Sequence, residues 1–360
     1  MAVIPTSGPK GIHREPLANT DQRASMDCRT LIVKGGDAET RTLELSIPSS
    51  SDLRECSVFL SKEGIAYDGS STALAFSFLS MPKQHFEAEF KISVQEILPS
   101  RLEGRIDYRD RISVPALVPG FWNYYHLLID CLPRILLSLD VDPRARILVT
   151  EFQAARLRRV PGELLLQIAE IFNFKDNLEV IQGDLLHLER AIVPTLPVRF
   201  IGPTLRIFQN IAGQVKTDAR RLVYVSRKLA TARRVLNEEQ VVDTVRSFGF
   251  ETVCLEELQL REQIRLFREA EAVIGPHGAG LANIVFSKPG TNLIEFLHDR
   301  GLYKVPIFSE LSALTKGKHV VLSSKSEPNP QHPGHAGNMD MTVDCAGLGT
   351  VLEGLNLNSS

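Results

Sequence analysis

A parallel α/β sheet of βαβ units is the fold class that the sequence predicts, on three observations. Beyond Gly120, short apolar runs alternate with amphipathic stretches of helical period. That alternation fits parallel strands joined by crossover helices. The run Ala272-Val-Ile-Gly275 also passes through Pro276 straight into the small residues Gly278, Ala279 and Gly280, a strand end followed at once by a helix start.

Residues 1–28 read as a solvated tail, because Thr6-Ser-Gly-Pro-Lys-Gly and Leu17-Ala-Asn-Thr-Asp have turn chemistry and no periodicity. From Leu31 to Leu117, runs such as Leu31-Ile-Val, Ser57-Val-Phe-Leu and Ala73-Leu-Ala-Phe-Ser-Phe alternate with Gly, Ser and Asp clusters, which predicts a β-rich start. An amphipathic helix follows Pro119-Gly120 up to about Leu139, and Pro133 inside it predicts a kink or break. Next come strand Arg146 to Thr150, helix Gly162 to Phe172, and strands Leu178 to Ile181 and Ala191 to Pro194. Helix Pro203 to Lys216 leads to strand Leu222 to Ser226, and Asn237 is the expected N-cap of helix Glu238 to Phe248. Strand Glu251 to Leu255, helix Leu258 to Ala270, strand Ala272 to Gly275, helix Gly278 to Phe286 and strand Asn292 to Phe296 continue the alternation. Ser323 to Gly337, rich in Ser, Pro, His and Gly, reads as a loop before a last helix from Thr342 to Leu355.

Composition excludes several classes. With 43% hydrophobic and 23% charged residues the chain has the make-up of an ordinary globular protein, neither disordered nor fibrous. Lys and Arg number 41 against 43 Asp and Glu, so no nucleic-acid partner is expected and any anion site is local. The first thirty residues hold no unbroken apolar run, so no signal peptide is expected there. Phe121 to Leu139 is interrupted by His126, Asp130 and Arg134, which argues against a transmembrane helix. Five dispersed cysteines without a C-x-x-C pair suggest neither a disulfide framework nor zinc, and point to a cytoplasmic setting.

The residues that carry chemistry fall in two places. In the second half, Ser226-Arg227, Gly275-Pro-His277 and Glu295 are expected at the carboxyl ends of parallel strands, where open α/β sheets bind ligands. Arg227 can fork onto a diphosphate, and the helix start at Gly278, Ala279 and Gly280 can cradle phosphate with exposed amides. His277 can add a donor, and Glu295 can accept from two ribose hydroxyls. Together these outline a nucleoside diphosphate; the alternative is that the small residues serve only tight helix-to-sheet packing. Between Ala219 and Leu236 stand Arg220, Arg221, Arg227, Lys228, Arg233 and Arg234 with no acidic residue. Of these Arg227 and Arg233 are expected on phosphate, and Arg220 and Arg221 on a solvated, unpaired face. In the first half, His126 and Asp130 lie four apart, with Asn123 one turn earlier, so one helical face carries all three. That pair either takes a proton from a hydroxyl nucleophile, by Asp130 or by His126, or is a hydrogen bond internal to the helix. No metal is expected: Asp140-Val-Asp142 precedes Pro143 as a helix-ending turn does, and His332 and His335 lie in the polar loop without a Cys partner.

Three segments together, Asn123-Tyr-Tyr-His126 with Asp130 and Pro133-Arg134, Tyr224-Val-Ser-Arg-Lys228 with Arg233-Arg-Val-Leu-Asn-Glu238, and His277-Gly-Ala-Gly-Leu-Ala-Asn283 with Glu295, resemble glycosyltransferase family 61, also called DUF563. The resemblance runs from about Gly120 to Leu314. It implies a GT-B fold, two Rossmann-like domains facing across a cleft, here with a β-rich N-terminal extension. On that reading residues 29–200 are the acceptor-side domain, 201–330 the nucleotide-sugar domain, and 331–360 a loop and C-terminal helix. The resemblance adds Lys228 and Asn283 to the donor site, and implies inversion at the anomeric carbon with no cofactor beyond the nucleotide sugar. The acceptor it implies is a glycan, free or lipid-linked. Lacking a membrane anchor, the chain resembles bacterial members assigned to capsular polysaccharide biosynthesis, which implies a cytoplasmic protein with peripheral association with membrane-bound machinery. Two rivals differ in class. A binding module that kept the nucleotide site without turnover would have no use for His126 and Asp130, and a Rossmann dehydrogenase would need G-x-G-x-x-G after an early strand, a spacing that His277-Gly-Ala-Gly-Leu281 lacks.

Overall fold

A computed structural model describes residues 24–34, 37–47, 55–62, 65–67, 104–106, 110–117, 120–157, 164–193, 202–334 and 336–355. Its strands in chain order begin with β1 (Ala24–Lys34), β2 (Asp37–Ile47), β3 (Glu55–Ser61), β4 (Ala66–Tyr67), β5 (Gly104–Ile106), β6 (Ser113–Val114), β7 (Arg146–Thr150), β8 (Leu178–Ile181) and β9 (Leu185–Ile192). They continue with β10 (Arg221–Val225), β11 (Glu251–Val253), β12 (Ala270–Pro276), β13 (Asn292–His298), β14 (His319–Glu327) and β15 (Asp340–Thr342). The chain divides into two units, one holding residues 25–46 and 207 onward, the other residues between 47 and 206.

The first unit is built on the sheet β11-β10-β12-β13-β14-β1-β2, with β15 beside β14. Strands β11, β10, β12, β13, β14 and β1 run parallel and β15 runs antiparallel to β14. Taken in chain order from β10, these strands lie second, first, third, fourth and fifth, so the sheet grows both ways from a switch point between β10 and β12. Strand alternation then sorts side chains by parity. Tyr224, Ile274, Ile294, Phe296, Val320 and Leu322 join Val241 and Val245 of helix Glu238–Ser247 and Leu348 and Leu352 of helix Cys345–Gly354 in one core. Each such side chain contributes about 1.5–3 kcal/mol on burial.

The second unit is built on β4-β3-β9-β6-β7-β8, with β5 beside β9. Here β3 runs antiparallel to β4 and β9, while β5, β6, β7 and β8 follow parallel pairings. Its helix after Gly120 has two parts, a π-helical turn His126–Cys131 and an α-helix Leu132–Val141. In place of a break, the helix changes type just before Pro133 with Cys131 and Leu132 both in helical conformation, and Pro133 sits in the first α-helical turn, where a missing N–H costs little. Among the described residues no helix is long and apolar enough to cross a membrane.

The α/β class and most second-half elements stand as expected, and the differences have identifiable causes. β1 begins at Ala24, inside the expected tail, and pairs through Ile32 and Val33 with Val321 and Leu322 of β14. The β-rich start at residues 29–47 thus lies in the sheet of the C-terminal unit, a pairing that local pattern does not encode. Part of Ser323 to Gly337 is strand, not loop: Ser323 and Ser324 are buried in β14 opposite Leu297 and His298. Asn237 does not cap its helix, because its side-chain amide bonds both the N–H and the carbonyl of Val343 (3.0 and 2.9 Å). The tail up to residue 23, the Ala73 run and His335 lie outside the described residues.

Gly317 allows the start of β14 to lie against the loop before β13, since a Cβ there would fall on the Thr291 carbonyl. Gly317→Ala is expected to lower stability by about 1–3 kcal/mol, as overpacking does. Urea denaturation followed by circular dichroism checks this.

Candidate functional site

At the switch point two parallel strand ends lie side by side. β10 passes the chain to Ser226 and Arg227, and β12 passes it to His277 and Gly278. Arg227 lies across Gly278: a Cβ built there would overlap the guanidinium Nη1, so glycine alone lets the arginine come this close to the turn. Gly278 is in turn the N-cap of the 3-10 helix Ala279–Phe286, whose first amides lack partners within the helix.

The electrostatics of Arg227 favour an anion. Its side chain is half-buried and donates from Nη2 to the Ala232 carbonyl (2.9 Å), while Nε is buried without a hydrogen-bond partner. Burial first, and then the charge of Arg233, pull its pKa down to about 10. Among the described residues no carboxylate forms an ion pair with it. A guanidinium held this way gains from a ligand that brings negative charge and acceptor oxygens together, and phosphate does both.

The rest of the basic run divides by partner. Arg233, in the left-handed region at φ 56, donates from Nε to the His277 carbonyl (2.9 Å) and from Nη1 to Gly337 and Asn338 (3.2 and 3.0 Å), so it brackets the turn as well as charging it. Arg234 is clamped by the buried Asp340 (2.6 Å). Arg220 and Arg221 are not the unpaired face expected, since they pair with Glu271 (3.0 Å), and with Glu251 and Glu269. Lys228 is exposed, its amide donating to Ser226 Oγ (3.1 Å).

Three expected donor-site residues take other places. Glu295, expected at a strand end, is mid-strand in β13, fully buried, with its oxygens on His277 Nδ1 and on His319 Nε2 (2.9 Å). The two imidazoles hold its pKa well below the usual carboxylate range, outweighing burial, which by itself raises it. Asn283 is also fully buried and donates to Gln263 (2.9 Å). Gly280 serves packing, as a Cβ there would lie 2.7 Å from Leu255 Cδ1. His277 is buried with its ring on Glu295, while Gly278 and Ala279 stay at the turn.

In the second unit, the π-helical turn presents the other pair. His126 Nδ1 meets Asp130 Oδ2 at 2.7 Å; the Asp130 side chain is 6% exposed and that of His126 19%. Arg134 Nε donates to the Asp130 carbonyl (3.0 Å). With Asp130 ionised the proton on His126 sits at Nδ1, so a further proton is accepted at Nε2. Asn123 leaves the expected stripe, because its Oδ1 accepts from the Tyr125 amide (2.9 Å). Asp142 ends its helix and accepts from the Arg144 amide (2.9 Å), as a turn residue does.

His126, Asp130, Arg227, Arg233, His277 and Gly278 fall within residues 124–294, which match the family model described as Glycosyltransferase 61. Over this segment the chain is similar to the glycosyltransferase 61 family. The chain is also similar to a beta-1,2-xylosyltransferase of Oryza sativa subsp. japonica, 31% identical over 87 residues, 22% of this chain and 16% of that protein. A beta-1,2-xylosyltransferase of Arabidopsis thaliana is 32% identical over 113 residues, 26% of this chain and 20% of its own length. The chain thus spans at most about a fifth of the length of these curated relatives.

The glycosyltransferase 61 segment stops at residue 294, one short of Glu295, and leaves out His319, Asn329 and Asp340, which sequence reasoning missed. His319 stands in no motif, and strand register alone brings it to Glu295. Asn329 binds the Thr231 carbonyl (2.9 Å) and Asp340, tying the Pro-rich segment to the arginine loop. Its signal was the single Asn between two prolines.

Inorganic pyrophosphate is expected to raise the melting temperature of the parent, through mass action on the native state. Arg227→Ala is expected to lose about 1.5–3 kcal/mol of pyrophosphate binding, the value of a hydrogen bond to a charged group. Gly278→Ala, which displaces the guanidinium, is expected to weaken binding in the same direction. Thermal-shift titrations check both.

Proposed function

We propose that the chain is a glycosyltransferase that moves a sugar from a nucleoside diphosphate to a hydroxyl of a glycan acceptor, free or lipid-linked, with inversion. The observation that carries this reading is Arg227, charged, desolvated and lying on the Gly278 turn at a switch point within the family segment. In the proposed reaction, the His126–Asp130 pair takes the acceptor hydroxyl proton while the oxygen bonds to the anomeric carbon. The bond from that carbon to the diphosphate breaks, and Arg227, Arg233 and the amides at Gly278 and Ala279 receive the developing charge. His126 is the better placed to accept the proton, being the more exposed of the two, and Asp130 then orients it. The names of the matched relatives make a nucleoside-diphosphate xylose the first donor to assay. The role in surface polysaccharide assembly at the cytoplasmic face of a membrane is supported by the sequence resemblance alone.

Loss of a positioned base costs roughly 10² to 10⁴ in rate. Asp130→Asn and His126→Ala are each expected to lower kcat by that order, His126→Ala at least as much, with donor affinity little changed. Transfer assays with a panel of nucleotide sugars, beside donor binding, check this; near-normal turnover in both variants would overturn the base assignment, and a parent that binds donor without turning it over would leave the binding-module reading. Since cationic side chains are proposed to neutralise the leaving group, the rate is expected to be unchanged in EDTA. Loss of rate in EDTA with rescue by manganese, abolished in Asp140→Ala, would overturn that.

A further inference from the structure

The side chains of Glu295, His277 and His319 come from three adjacent parallel strands, and their meeting follows from register. Glu295 pairs with Gly275 on one side and Val321 on the other, and His319 pairs with Leu293. Alternation therefore puts Glu295, His277 and His319 on one face, with His277 two residues beyond Gly275 and His319 two before Val321. The glycine directly opposite Glu295 has no side chain, and the carboxylate reaches diagonally forward to His277 and back to His319. All three are buried, at 0%, 6% and 3% exposure. Burying an ionised carboxylate is costly unless partners satisfy it, and here two imidazoles do.

The forward ring belongs to a residue held at every polar group of its backbone. The His277 amide donates to the Phe296 carbonyl (2.8 Å), its carbonyl accepts from Arg233 (2.9 Å), and its ring packs edge-on against Phe308. The next residue is Gly278, under Arg227. We propose that Glu295 is a positioning residue for the anion site: braced by His319, it fixes His277, and through it the Gly278 turn and the seats of Arg233 and Arg227. This rests on the nucleoside diphosphate reading of that site. The chain His319–Glu295–His277 is thus the rear support of the phosphate-binding turn, and it runs past the boundary of the family segment into β14.

The test is calorimetric titration of the full chain with uridine diphosphate and guanosine diphosphate, beside circular dichroism and nitrogen-15 spectra of the histidine rings. The parent is expected to bind at least one of the two, with a buried imidazole signal that responds to the nucleotide. Glu295→Gln keeps the shape and loses the charge; it is expected to fold, to bind about tenfold or more weakly, and to lose the imidazole response. Glu295→Asp is expected to recover part of both. Where Glu295→Gln fails to fold, His319→Gln, which removes only the rear imidazole, carries the same expectation. A folded Glu295→Gln or His319→Gln chain with parental affinity and parental histidine spectra overturns the positioning role. A parent that binds neither nucleotide overturns the anion-site reading itself, and this proposal with it.

Discussion

The parallel register of β12, β13 and β14 is the constraint on which the C-terminal unit depends. Sliding β13 by one residue would exchange its two faces. Ile294 and Phe296 would leave the core they share with Tyr224, Val320 and Leu322, and Glu295 would enter it without a partner. The two faces therefore enforce one another: the apolar face fixes the register, and the register delivers Glu295 to its two histidines. Small residues are used by position in the same way, since a Cβ at Gly275 would crowd Val225 and Leu281 and one at Gly278 would overlap Arg227.

Charge is distributed in this unit by whether it is answered within the protein. Arg234 meets Asp340, Arg221 meets Glu251 and Glu269, and Glu295 meets two imidazoles. Arg227 is lowered in pKa, by desolvation and by Arg233. Asp340 forms its ion pair with Arg234, and together with Glu256 it only partly offsets the lowering at Arg227. This local imbalance sits at the switch point of the strand order, where open α/β sheets bind ligands.

In the N-terminal unit the chemistry is placed by a defect in a helix. A π-helical turn widens the backbone between His126 and Cys131, and the α-helix resumes at Leu132 with Pro133 in its first turn. The proline has no N–H to lose there, so the helix changes type without leaving a donor stranded. His126 and Asp130 fall inside that turn, on one side, joined at 2.7 Å. Most of their neighbours are apolar and buried, among them Leu127, Leu128, Ile129 and Leu132.

What the sequence determined by itself was the local part. Apolar runs fixed where β7, β10 and β12 lie, because a strand buried on both faces must be largely apolar. Spacing placed His126 and Asp130 on one side, and the Pro-His-Gly-Ala-Gly run placed a turn at a helix start. Only the tertiary structure decided the rest. The pairing of β1 with β14 joins residues almost three hundred positions apart, and no local pattern carries it. Glu295 had the chemistry of a ribose ligand in the sequence, but mid-strand burial between His277 and His319 turned it inward. Asn283 and Gly280 likewise follow what packs beside them, Gln263 and Leu255. A side chain's chemical capacity is written in its type; whether it faces ligand or core depends on register and on neighbours distant in sequence, which exist only once the sheet has formed.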